Sequence, residues 1–210
     1  MKTSVIIPVK TFQKSKTRLQ LSKEKTNSLC RLLLEEVVKT IYDSKLIDKT
    51  IVVTNEEQVS DIIEKYDCEK IQDKYETSVN DAVKLAEQYL IDNQFTHSIV
   101  LPLDVPFFDS EDIEKLLKFS INNSVIVVPS RHFDGTNALL RCPINSMKPR
   151  YDEGSYRFQI ESAQNNDVKI SIGLIYKLML DIDNTEDLEF VIKQNIKPEL
   201  CKKIREIIEN

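Results

Sequence analysis

Glycine, histidine and paired cysteine are all scarce in this sequence, and each shortage removes a class of function. Only three glycines occur in 210 residues, Gly135, Gly154 and Gly173. A dinucleotide fingerprint or a P-loop needs several closely spaced glycines so that backbone can approach phosphate, so neither is present. The four cysteines, Cys30, Cys68, Cys142 and Cys201, are scattered and form no CxxC pair. That removes the common zinc and dithiol patterns and leaves them as reduced, structural thiols. Of the two histidines, His97 is expected just ahead of a strand, while His132 stands near a turn cluster where it could face ligand.

Long apolar runs are also missing. Stretches such as Ser4 to Pro8 and Ile99 to Leu101 fall far short of the ~20 residues that cross a bilayer. The N-terminus lacks the pattern of a signal peptide, so the expectation is a cytoplasmic protein without a membrane partner. A net charge of −5 argues against a general nucleic-acid binder, because such binding rests on clustered Lys and Arg. Any anionic ligand must meet positive charge that is concentrated locally.

What is present is an ordinary core-forming composition, 41% hydrophobic and 30% charged, expected to make one domain over residues 1–210. Short apolar runs alternate with amphipathic segments. Strands are expected at Ser4–Pro8, Ile51–Val53, Ser98–Leu101, Val125–Val128 and Val168–Ile172. Leu29, Leu32, Leu33, Val37 and Ile41 recur at helical spacing, as do Val59, Ile62 and Ile63, and Ala82, Leu85, Ala86 and Leu90. Further helices are expected over Glu111–Phe119, from near Ser155, and after Asp183 and Pro198. Between Pro129 and Lys148 the run Ala138-Leu139-Leu140 reads as an excursion from the sheet, with a strand that could run antiparallel. The fold class is therefore α/β, a three-layer α/β/α arrangement on a mostly parallel sheet. In such a fold ligands bind beyond the carboxyl ends of the strands.

Three clusters fall at those ends. The first, Pro8 to Leu19, carries Lys10, Lys14, Lys16 and Arg18, which form either a triphosphate cradle or a solvated basic loop. The second is carboxylic. Asp104 in Leu103-Asp104-Val105-Pro106 is a magnesium ligand or a turn former. Asp181 and Asp183, two apart in an extended segment, face the same way and could share a cation, while Asp183 or Asn184 could also simply cap the next helix. The third joins Asp134-Gly135-Thr136-Asn137 to Tyr151-Asp152-Glu153-Gly154-Ser155-Tyr156. If Ser155 opens a helix, its first-turn N–H groups suit a phosphate; the alternative is a turn with a Ser cap.

In their order along the chain these pieces resemble the 2-phospho-L-lactate guanylyltransferase family of coenzyme F420 biosynthesis. Ile7-Pro8-Val9-Lys10 with Lys16-Thr17-Arg18-Leu19 and Leu21-Ser22 is similar to its PVK and K-S/T-R-L-x-x-L-S signature. Asp104-Val105-Pro106 is similar to its D-L-P, Gly135 to Leu139 to its G-T-N-A-L, and Asp181 to Leu188 to its D-x-D-T-P-E-D-L. The family's acceptor loop commonly reads F-G-P-G-S-F; here Asp152 and Glu153 replace a Gly and a Pro, adding negative charge. The resemblance implies a fold of the nucleotide-diphospho-sugar-transferase kind, shared with molybdenum-cofactor guanylyltransferases. In it Lys10, Lys16 and Arg18 hold the triphosphate, Asn80 contacts the nucleotide, and Thr136, Gly154 and Ser155 hold the acceptor phosphate. Asp104, Asp181 and Asp183 bind Mg2+, and Lys10, Lys16, Arg18 and Asp104 are the catalytic set.

The implied reaction joins GMP from GTP to 2-phospho-L-lactate, phosphoenolpyruvate or 3-phosphoglycerate with release of pyrophosphate. An acceptor phosphate already carries about −1.5 to −2 charge at pH 7, so no protein base is required. Other readings are a cytidylyl- or sugar-nucleotide transferase on the same architecture and a non-catalytic nucleotide-binding module. A homodimer is compatible with such a fold.

Overall fold

Alternation of side chains along the strands decides the architecture. In a computed structural model that describes residues 2–152 and 154–209, the first strand is β1 (Thr3–Val9). Its Val5, Ile7 and Val9 point to one face of a sheet and Ile6 to the other, all buried. The next strands are β2 (Lys49–Thr54), β3 (Glu69–Gln72), β4 (His97–Val100), β5 (Ser124–Pro129), β6 (Thr136–Cys142) and β7 (Lys169–Ile172). Together they form a seven-stranded sheet in the order β3-β2-β1-β4-β6-β5-β7. β1 pairs in parallel with β2 and β4, β2 with β3, and β5 with β7; β6 runs antiparallel to both β4 and β5. The antiparallel excursion is therefore a full central strand, longer than the Ala138–Leu140 run that announced it.

The two faces are covered by different helices, giving the three layers. On one side lie α1 (Lys23–Tyr42), α2 (Ser60–Lys65), α4 (Ser110–Lys118), α6 (Thr185–Gln194) and α7 (Pro198–Glu209). Their Leu29, Leu33, Ile62, Ile113, Leu188 and Ile204 pack with Val5, Ile7, Val52 and Ile99. On the other lie α3 (Val79–Asp92) and α5 (Ser155–Asn165), whose Ala82, Val83, Ala86 and Ala163 pack with Ile6, Ile51, Val100 and Leu139. Because both faces are dry, the central strands read as unbroken apolar runs.

Two details differ from the sequence reading. β3 is an edge strand of alternating exposure, and Glu69-Lys70-Ile71-Gln72 carries one apolar residue, so it leaves no hydrophobic signal. In α3 Val83 faces the core while Leu85 is 43% exposed, because the helix buries its Ala82–Val83–Ala86–Leu90 stripe. His97 is the first residue of β4 and is buried, which lowers its imidazole pKa. Among the described residues no helix is long and apolar enough to cross a membrane.

Leu33, fully buried on α1, tests the core directly. Leu33→Ala is expected to cost about 2–5 kcal/mol in urea unfolding with the m-value unchanged. Leu85→Ala should stay within ~0.5 kcal/mol.

Candidate active site

The basic loop leaves the sheet at the carboxyl end of β1 and is fastened at several points before it can meet a ligand. Phe12 is fully buried and its N–H donates to Glu56 Oε2 at 2.9 Å. Glu76, whose side chain is 3% exposed, accepts from the Thr11 N–H and hydroxyl and from the Lys14 ammonium. Burial opposes the charge on Glu76, but these bonds outweigh it and lower its pKa. Lys14 is thus spent on Glu76. Lys16 sits in the left-handed region, φ 54°, uncommon for a residue with a side chain, where the basic loop meets the acids.

There Lys16 Nζ donates to Asp104 Oδ2 at 2.6 Å and to Asp183 Oδ1 at 3.0 Å, with its own side chain 7% exposed. Burial disfavours the ammonium, yet the two carboxylates dominate and raise its pKa. Burial pushes the Asp104 carboxyl up despite Lys16, while Asp183, more open, is held down chiefly by Lys16 against its own burial. The third acid, Asp181, has no cation of its own: its Oδ1 accepts from Asn137 Nδ2 at 3.2 Å. Burial first, and the nearby Asp104 charge second, push its pKa up to about 7.

Local structure explains this gathering. Ile182 is fully buried and its N–H donates to the Asp104 carbonyl at 3.0 Å, which stitches the segment to the β4 exit. Asp181 and Asp183, on either side of it, consequently both face the same cleft. Asn184, not Asp183, caps α6, in a capping box with Asp187, so Asp183 stays available to Lys16.

The cleft holds about 340 Å³ and is lined by Lys10 and Lys16 from the basic loop, Val79 and Ala82 from α3, Thr136 and Asn137 from β6, Tyr151, and all three acids. Of the residues given roles by the family resemblance, Lys10, Lys16, Asp104, Thr136, Asp181 and Asp183 are on its wall, and Gly154 and Ser155 are not. Arg18 is exposed and off the wall, although its charge is felt at Asp183. Asn80 is also off the wall; its Oδ1 accepts from the Tyr151 N–H at 2.8 Å.

The acceptor cluster is tighter than expected. Ser155 does open α5, and Gly154 before it adopts φ 75°, a conformation other residues rarely take. Ser155 is buried and its hydroxyl donates to Thr136 Oγ1 at 3.0 Å, so Ser155 reaches the cleft through Thr136. The Tyr156 and Arg157 N–H groups are taken by the Asp134 and Gly154 carbonyls. Asp152 is exposed beside Arg150, and Glu153 lies outside the described residues. His132, exposed, faces Asp187 at 3.5 Å and not the cleft.

Several contributors have no local sequence signature. Asp73, at the exit of β3, lines the cleft and is buried; it follows the edge strand that the apolar pattern does not reveal. Glu56 and Glu76 act by binding a loop more than 40 residues away, as their separations of 44 and 65 show. Asn137 was visible inside its motif, but its bond to Asp181 was not.

Among the described residues no three His, Cys, Asp or Glu side chains stand at metal-ligating spacing. The donor set still fits magnesium, which usually takes one or two carboxylates and fills the rest of its shell with water and substrate phosphate. Asp104 and Asp181, two hard oxygen donors, face the cleft; the Asp104 charge is felt at Asp181, and Lys16 lies between Asp104 and Asp183.

A sheet of this order, with a charged cleft at its carboxyl edge, defines a nucleotidyltransferase-like α/β protein. A candidate nucleotide-diphospho-sugar transferase from Desulfovibrio desulfuricans has the same fold, with TM-score 0.74 and 15% identity over 99% of both chains. Residues 3–205 match the family described as guanylyl transferase CofC like, and the chain belongs to that family. It is 30% identical to a phosphoenolpyruvate guanylyltransferase of Conexibacter woesei, over 90% of this chain and 86% of that one. A 3-phospho-D-glycerate guanylyltransferase of Colwellia psychrerythraea is 31% identical over 91% of each chain. A 2-phospho-L-lactate guanylyltransferase of Methanobrevibacter smithii is 25% identical over 96% of this chain and 89% of its own.

The Asp181 pKa gives a sign that can be measured on the ligand-free protein. A carboxyl raised from 3.8 to about 7 on folding contributes stability below pH ~4 that is lost as pH rises through 7. Asp181→Asn should therefore raise Tm at pH 8 by a few degrees, about 1 kcal/mol being worth ~2–4 °C in a chain of this size, and leave it unchanged near pH 4.

Proposed function

We propose that this protein transfers the guanylyl group of GTP to the phosphate of a small phosphorylated three-carbon acid, in the manner named for its relatives. The observation that carries the reading is the gathering, in one cleft, of Lys10 and Lys16 with Asp104, Asp181 and Asp183, together with Thr136, to which Ser155 is bonded. Two polyanions must be brought together for this reaction, and the cleft offers cations for one and hydroxyl groups for the other.

In the proposed reaction an acceptor phosphate oxygen attacks the α-phosphorus of GTP in line. The bond from that phosphorus to the α,β-bridging oxygen breaks, and pyrophosphate leaves with the electron pair. Lys10 and Lys16 neutralise the triphosphate, and Arg18, close enough to act on Asp183, is free to swing onto the outer phosphates. Thr136 and Ser155 orient the acceptor's phosphate through their shared hydroxyl bond. Asp104 and Asp181, with Asp183, would hold Mg2+, which supplies charge neutralisation at the phosphates. Asp104 and Asp183 are also the partners of Lys16, whose ammonium would turn to the phosphates if those carboxylates held the cation.

Relatives at similar identity carry the names of three different acids, so each acid is offered as acceptor. With GTP and Mg2+, pyrophosphate should appear with at least one of 2-phospho-L-lactate, phosphoenolpyruvate and 3-phosphoglycerate, and CTP should not replace GTP. Silence with all three acids, or equal turnover of CTP, contradicts the reading. Asp104→Asn should lower the rate at least ~100-fold while circular dichroism shows the fold intact.

A further inference from the structure

We infer that Asn80 is a positioning residue for the acceptor loop, tying it to the first turn of α3 through the Tyr151 N–H. The inference rests on the proposed reading only in taking the Gly154–Ser155 turn as the acceptor side. Asn80 is the second residue of α3, and its neighbours Val79 and Ala82 line the cleft while Asn80 does not. Its carboxamide oxygen instead accepts from Tyr151 at 2.8 Å, across 71 residues of sequence.

The loop between β6 and α5 is pinned in steps. The Met147 carbonyl accepts from the fully buried Arg141 at 3.4 Å, and the Lys148 carbonyl accepts from Ser162 at 2.7 Å. Arg150 exchanges two bonds with the Gln159 side chain, at 3.1 and 2.9 Å. Ser162 and Gln159 belong to α5, so these bonds hold the loop to the helix it precedes. The Asn80 bond is different, because it crosses from α3, the helix whose first turn lines the cleft. Arg141 adds a second tie to α3 through Glu87, further from the turn. Beyond Tyr151 come exposed Asp152 and the turn residue Gly154, so among the described residues the Asn80 bond is the last tie to another element before the acceptor turn. An error there passes to Ser155 and so to its bond with Thr136, and misplacing a reactant by about 1 Å can cost ~100-fold.

Two substitutions separate this role from a nucleotide contact. Asn80→Ala removes the acceptor oxygen; Asn80→Asp keeps it, loses the amide donor and adds a negative charge. The expected result for Asn80→Ala is an acceptor KM raised about tenfold, with the GTP Kd, measured without acceptor, within about twofold of the parent. Asn80→Asp should bring the acceptor KM back to within about threefold of the parent. A GTP Kd weakened in both variants with the acceptor KM unmoved would overturn the inference. Amide hydrogen exchange over residues 148–156 needs no turnover and so tests the tie even if guanylyl transfer itself is absent. Exchange should speed up in Asn80→Ala and not in Asn80→Asp, and equal protection in all three proteins would equally overturn it.

Discussion

A single lysine ammonium enclosed by carboxylates governs the rest of the site. Lys16 Nζ lies within hydrogen-bond distance of Asp104 and Asp183 and is almost wholly buried. Such an arrangement is costly to assemble, because desolvating each charge opposes the attraction that holds the group together. It also leaves three acids around one cation, and Asp181, which does not bond to Lys16, has its pKa pushed up to about 7 by burial first and by the Asp104 charge second. A folding optimum would remove that carboxylate or supply a second cation. Its retention is consistent with the metal-bearing nucleotide of the proposed reaction, since functional sites are where structures depart from stability rules.

The topology is what lets the group form. β1 and β4 are adjacent and parallel, so their exits place Lys16 and Asp104 at the same edge of the sheet. The antiparallel β6 then brings Thr136 and Asn137, at its start, to that edge, because a strand running the opposite way begins where its neighbours end. The extended Asp181–Asp183 segment is docked on the β4 exit by the Ile182 bond to Asp104. One cleft thus draws on the beginning, middle and end of the chain, and α3, whose first turn lines it, is tied by Asn80 to Tyr151 in the loop that leads to α5.

Much of this was legible in the sequence, for physical reasons. The buried strands announce themselves as apolar runs because both faces are covered, and polar residues directly after them mark the cleft. Lys16, Asp104, Thr136, Asp181 and Asp183 all followed from that rule or from the family's motifs. What was not legible depends on distant pairing. That Lys16 would neutralise the acids meant to hold metal, that Asn80 would accept from a backbone 71 residues away, and that Glu76 would absorb Lys14 are tertiary facts with no local pattern. β3 was hidden because an edge strand needs few apolar residues, and Asp73 was hidden with it.

The central claim is that one phosphorus–oxygen bond is exchanged for another at this cleft, and 31P NMR of the products reports it most directly. Guanylyl transfer predicts inorganic pyrophosphate together with two new, mutually coupled resonances from a diphosphate bridge between GMP and the acid. Free GMP, GDP with inorganic phosphate, or an unchanged GTP spectrum with every acid would contradict it.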